Sequence, residues 1–145
     1  MKNAGTYALV IDLGADLSLP IGKLGVRSFP AGYYVYVGSA LSGLSGRLRH
    51  HLGSAKKSHW HIDYLLENAT IGQIWCVLGK DRLECKWNDI LQGLPGATPS
   101  TPSFGASDCR CLSHLTYFQK MPPFDIFVQR LQQDELPPAQ QLIVK

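Results

Sequence analysis

An α/β protein of the α+β type, with a small, mainly antiparallel sheet flanked by helices, is the fold class that three observations predict. Runs rich in valine, isoleucine and aromatic residues recur at 5–13, 33–37 and 71–78, the composition of half-buried strands. Apolar stripes at three- and four-residue spacing stand between and after them, the signature of helices with one buried face. The turns between the first runs are short and rich in glycine and proline, which suggests an antiparallel meander. With 145 residues the chain has the size of one domain able to bury its own core, expected over 1–133 with a C-terminal tail at 134–145.

The elements follow in order. Gly5 to Leu13 alternates, placing Tyr7, Leu9 and Ile11 on one side of a first strand expected in the sheet centre. Pro20 to Phe29 is an extended segment with a turn around Gly22 to Gly25, and Pro30-Ala31-Gly32 turns the chain into the strand Tyr33–Val37. Gly38 then ends that strand in a turn. From Ser42 to Leu52, residues Leu41, Leu44, Leu48 and Leu52 form a helical stripe, stopped by Gly53. Arg47 and His51 lie one turn apart along its edge, and His50 points to water. Ser58 caps a helix from about residue 59 or 60 to Asn68, with Ile62, Leu65, Leu66 and Ala69 buried.

Ile71 to Leu78 is the next strand, and Gly79-Lys80-Asp81 leads into a helix from about Asp81 to Gln92. Leu83, Trp87, Ile90 and Leu94 make its core face, and Glu84 is partly sheltered at the edge. Residues 93–108 are rich in Gly, Pro, Ser and Thr without a period, so they read as a long surface loop. Cys109 to Gln119 reads as a strand, and Phe124 to Leu131 as a short helix before the Pro137-Pro138 tail.

Composition narrows the function. The 45% hydrophobic and 17% charged fractions are those of a globular protein. No apolar run approaches the roughly 18 residues of a membrane span, and MKNAGTYALVIDLG lacks the start and cleavage site of a signal peptide, so a cytoplasmic location is expected. The net charge of +3 is uneven: residues 1–60 hold seven Lys/Arg against two Asp, the remainder seven against nine acids. Arg47, Arg49, Lys56 and Lys57, with His50 and His51, form a cationic patch that either attracts a phosphate backbone or is a solvated helix face. GSALSGLSG at 38–46 lacks the Gly-Lys-Ser/Thr ending of a P-loop and the dinucleotide glycine spacing, and no G-x-S-x-G elbow is present. Nucleotide-binding and serine-hydrolase enzymes are therefore set aside.

Gly5-Thr6-Tyr7 on the first strand, Tyr36-Val37-Gly38 on the next strong one, and Arg47-x-x-x-His51 on the following helix together resemble the GIY-YIG nuclease family. More narrowly, FPAGYYVYVGSA, HWHIDYLL and FGASDCRCLSHL look like a little-characterised prokaryotic branch of that superfamily, sometimes fused to a DNA-repair glycosylase. The resemblance implies a metal-dependent endonuclease acting on DNA or a structured nucleic acid, with repair proteins as further partners. By the family pattern Glu84 holds one Mg²⁺ or Mn²⁺, an ion that needs only one or two carboxylates, with Glu67 as the fallback. Arg47 clamps the scissile phosphate with its planar, permanently charged fork. Tyr7 and Tyr36 line the cleft, one of them activating the water, and core packing is the competing use of both. A free tyrosine is only about 0.1% ionised near neutrality, so a phenolate base needs roughly 4 kcal/mol of help. His51 is a candidate source of it. Arg49, Lys56 and Lys57 supply phosphate attraction.

Two clusters lie outside that pattern: His59-x-His61-x-Asp63, and Asp108-Cys109-x-Cys111-x-x-His114. Either could bind metal, and a zinc ion on Cys109, Cys111, His114 and one further histidine is the less favoured reading because C-x-C-x-x-H is not a standard zinc spacing. The alternative has His59, Asp63, Asp108 and His114 extending the cleft while the cysteines pack as small hydrophobes. Beyond the nuclease reading, a non-cleaving nucleic-acid-binding module and a zinc-stabilised interaction domain remain open.

Overall fold

The computed structural model describes residues 4–21, 24–40, 43–52, 61–100 and 114–144. The elements are β1 (Gly5–Leu13), β2 (Leu17–Pro20), β3 (Val26–Phe29), β4 (Gly32–Ala40), α1 (Leu44–Leu52), α2 (His61–Leu66), β5 (Thr70–Leu78), α3 (Glu84–Gln92), β6 (Thr98–Ser100), β7 (Leu115–Phe118), α4 (Phe124–Gln133) and β8 (Gln140–Ile143). Six strands form one antiparallel sheet in the order β6-β7-β4-β1-β5-β8. The fold is α+β, and β1 lies inside the sheet with its expected bounds, paired on both edges.

Because side chains alternate along a strand, β1 feeds two different cores. Tyr7, Leu9 and Ile11 share one face with Tyr34, Tyr36, Ile74 and Leu115, covered by Ile62, Leu65 and Leu66 of α2 and by Leu48 of α1. Ala8 and Val10 share the other face with Val35, Val37 and Trp75, covered by Trp87, Ile90 and Leu91 of α3 and by Phe127 and Leu131 of α4. Trp75 stacks on Phe127 at a centroid distance of 5.1 Å, and Trp87 meets the same ring edge-on at 5.0 Å. The apolar stripes of α2 and α3 thus face the core as expected.

Several sequence expectations are corrected. The meander is incomplete: among the described residues β2 and β3 pair with each other in a separate two-stranded sheet, and β1 pairs directly with β4. The strand expected over Tyr33–Val37, β4, runs on through Gly38 to Ala40 instead of turning there. Gly38 lies opposite Tyr7, and a β-carbon on it would stand 2.5 Å from the Tyr7 hydroxyl oxygen. The glycine makes room for a ring. Leu52, the last residue of α1, is 48% exposed and so stands outside the buried stripe. α3 begins at Glu84, later than Asp81, since the chain first leads Leu83 down into the apolar layer as the residue before the helix. The loop at 93–108 contains an edge strand, Thr98–Ser100, paired with β7. At the other edge, the tail returns through Glu135, whose φ of 57° is left-handed, and Gln140–Ile143 pairs with β5 as β8. The Ser58 cap and the strand expected over 109–113 lie outside the described residues.

Candidate active site

The register of β1 and β4 sets Tyr7 against Gly38 and Leu9 against Tyr36, so the two tyrosines are diagonal neighbours on one face, with ring centroids 6.4 Å apart. Helix α1 crosses this face and lowers His51 onto them. Its Nε2 is 2.7 Å from the Tyr7 hydroxyl oxygen, and its ring centroid is 5.3 Å from that of Tyr7 and 6.2 Å from that of Tyr36. Tyr7 is 0% exposed, Tyr36 7% and His51 2%. Helix α2 supplies Asp63, 0% exposed, whose two carboxylate oxygens each lie 3.1 Å from Nε2 of His50. Asp63 Oδ1 is also 4.0 Å from Nδ1 of His51.

Electrostatics draw in the remaining groups. Burial pushes the Tyr7 phenol up to about 12, opposed by the charge of Arg47 and a hydrogen bond from it, and reinforced by Glu84 and Asp63. Tyr36 is held well above the ordinary tyrosine value, first by burial and then by Tyr7, with Arg47 acting the other way. Burial lowers His114, and the nearby Glu84 carboxylate opposes that shift. Arg47 of α1, Asp63 of α2 and Glu84 at the start of α3 therefore act on the same two phenols. His114 joins through its carbonyl, which accepts a hydrogen bond from the Val37 N–H at 3.1 Å. The Glu84 side chain is mostly sheltered, as expected from its place at the stripe edge, and Arg82 Nη2 lies 3.3 Å from one of its oxygens.

These shifts change the chemistry open to the tyrosines. With Tyr7 at about 12, forming its phenolate at neutral pH costs about 7 kcal/mol, against the 4 of a free tyrosine. A standing phenolate is thus disfavoured. A phenol hydrogen-bonded to a histidine can instead accept a proton as it releases its own, which needs no free phenolate.

Tyr7, Tyr36, His51 and Asp63 are brought together by contact, Arg47 and Glu84 act on the two phenols, and His114 stands at the strand edge beside Val37. Arg49 is exposed on α1. His50 does not point to water: α2 lies beside α1, and the buried Asp63 carboxylate draws the imidazole inward. Glu67 is exposed just beyond α2 and is not among the groups acting on the phenols, so Glu84 is the better placed carboxylate. Lys56, Lys57, His59, Asp108, Cys109 and Cys111 lie outside the described residues, as does the side chain of His61, the first residue of α2. Among the described residues no group of three or more His, Cys, Asp or Glu side chains is arranged to hold a metal ion, and no helix is long and apolar enough to cross a membrane. Sequence periodicity missed the His50–Asp63 pair, because it reports which face of a helix is buried and says nothing of which helix lies alongside.

The model of a family described as a domain of unknown function, DUF123, matches residues 6–135. Neither a curated protein nor a solved structure matches the chain.

Proposed function

The chain belongs to the DUF123 family, and from the convergence of Tyr7, Tyr36, Arg47, His51 and Glu84 we propose that it is a metal-dependent nuclease hydrolysing phosphodiester bonds in DNA or structured nucleic acid, with a site of the GIY-YIG kind. The observation that carries this reading is the 2.7 Å contact of the Tyr7 hydroxyl with His51, made where Arg47 and Glu84 both act on that hydroxyl. In the proposed reaction a water attacks phosphorus and yields a proton to the Tyr7 oxygen while the Tyr7 proton passes to Nε2 of His51. The P–O bond to the leaving oxygen breaks with its electron pair on that oxygen, which takes a proton from solvent. The phenol is regenerated and the imidazole holds the charge. Arg47 donates to the phosphoryl oxygens with two parallel N–H groups.

Glu84 suits a hard divalent cation. Mg²⁺ or Mn²⁺ needs one or two carboxylates and fills its remaining positions with water and phosphate oxygens, so a single sheltered carboxylate meets the requirement. Bound there, the cation would supply charge stabilisation to the phosphoryl and leaving oxygens. Exposed Arg49 extends the phosphate footprint, and Lys56 and Lys57 are added to it from the sequence alone; a cytoplasmic setting with DNA-repair partners accords with the family resemblance.

The near-complete burial of Tyr7 and Tyr36 favours a second reading, a nucleic-acid-binding module that keeps the basic cleft without cleaving. The pure protein with single-stranded, duplex, flap and branched DNAs, in Mg²⁺, Mn²⁺ or chelator, separates the two. Metal-dependent cleavage of at least one substrate is expected. Binding that Arg47→Ala weakens, with no cleavage of any substrate, would leave the module in its place.

A further inference from the structure

A carboxylate removed from water is retained only where cationic or donor groups compensate it, and Asp63 has two imidazoles within ion-pair range. The two contacts differ in kind. His50, 27% exposed at its side chain, faces both oxygens with one nitrogen, so an N–H there would donate to the carboxylate. The His51 side chain is 0% exposed, so bulk water does not orient it, and its nitrogens face different groups: Nε2 the Tyr7 hydroxyl at 2.7 Å, and Nδ1 the Asp63 carboxylate at 4.0 Å, a charge–dipole contact longer than a hydrogen bond.

An ionised carboxylate can only accept, whereas a phenol can donate or accept. The tautomer protonated on Nδ1 turns its N–H toward Asp63 and offers the Nε2 lone pair to the Tyr7 O–H. The other tautomer sets a lone pair against the carboxylate and makes Tyr7 an acceptor, unable to pass its proton on. We infer that Asp63 is a positioning residue that holds His51 in the Nδ1–H tautomer, poising Nε2 as the proton acceptor of Tyr7. Asp63 touches neither water nor phosphate in this arrangement, and acts only through His51. The tautomer assignment stands on geometry, and its consequence for rate rests on the nuclease reading.

The test uses the full chain with ¹⁵N-labelled histidine, read by long-range ¹H–¹⁵N NMR at pH 8, with His51→Gln used to assign the resonance. In wild type, His51 should carry its proton on Nδ1 and leave Nε2 bare. A proton on Nε2, alone or together with one on Nδ1, would overturn the inference without any variant having to fold. Asp63→Asn, whose amide can turn either a donor or an acceptor to the ring, should give mixed or reversed tautomers with backbone spectra otherwise preserved, and Asp63→Glu should restore part of the Nδ1–H form. An unaltered tautomer in folded Asp63→Asn would overturn it too. If the wild type cleaves DNA, Asp63→Asn should lower kcat about a hundredfold or more with KM little changed, and Asp63→Glu should recover part of the loss. If the wild type does not cleave, the nuclease reading fails alone and the tautomer still decides the role of Asp63.

Discussion

The two faces of the central sheet are built from the same strands and put to opposite uses. Under α3 and α4 the layer is Trp75, Trp87, Phe127 and aliphatic side chains, in which burial itself is the stabilising term. Under α1 and α2 the equivalent positions carry Tyr7, Tyr36, His51 and Asp63, groups that oppose burial and must be compensated one by one. The second face keeps its own apolar cluster, with Leu9, Ile11, Phe29, Ile62 and Leu65, and sets these polar groups within it. Of the groups in the proposed site, Tyr7, Tyr36, His51 and Asp63 lie on that side, and Glu84 acts on the two phenols by its charge from the start of α3.

The sharpest way to break the comparison uses two residues three apart on α3. Glu84→Gln keeps shape but removes charge, so cleavage should fall by about a thousandfold or more, roughly 4 kcal/mol, while thermal stability and DNA binding in chelator stay near wild type. Trp87→Ala should do the reverse, losing about 3–5 kcal/mol of stability in urea titrations. Should both variants lose stability alike, the division of labour is wrong. Next in size is Arg47→Lys, which retains the charge but not the planar fork. Single-turnover cleavage should slow about a hundredfold, close to 3 kcal/mol, with a smaller loss of affinity.

A smaller effect separates the faces by pH. Tyr7 is raised from 10.0 to about 12 on folding, so its contribution is fully present below pH 10 and is lost as pH climbs through 12. Tyr36 and Tyr34 shift in the same direction and steepen the loss. Between pH 9 and 12, wild type should lose about 2 kcal/mol more unfolding free energy than Tyr7→Phe, measured in urea at each pH. Equal losses in the two proteins would show that the Tyr7 phenol is not kept neutral by the fold. The smallest expected change is that of Tyr36→Phe, which deletes one hydroxyl from a buried ring. Cleavage should slow about tenfold, near 1.4 kcal/mol, with the unfolding midpoint unmoved. Lower stability with unaltered cleavage would return Tyr36 to the core.

What could be read before folding was whatever depends on local periodicity. β1 was legible because Tyr7, Leu9 and Ile11 alternate without a break after Gly5, and the α3 stripe because Leu83, Trp87 and Ile90 repeat with the helical turn. Arg47, His51, Tyr7 and Tyr36 were legible as a set through their order and spacing, and the structure brings them together. β8 was not, since Gln140–Ile143 is exposed along its length and carries no burial pattern to reveal a strand. Nor were β2 and β3 legible as a separate sheet, because two short extended segments look alike whether they join a neighbour or only each other.

The sequence by itself determined the α+β class, the central first strand and the buried stripes of the helices, because periods of two and of about 3.6 residues are properties of the local chain. Only the tertiary structure decided that Gly38 lies flat in a strand beneath the Tyr7 ring, that His50 turns inward, and that Asp63 stands between two imidazoles. Those outcomes depend on which element packs beside which, and the distances across an interface between α1 and α2 are set by the packing of the whole sheet face.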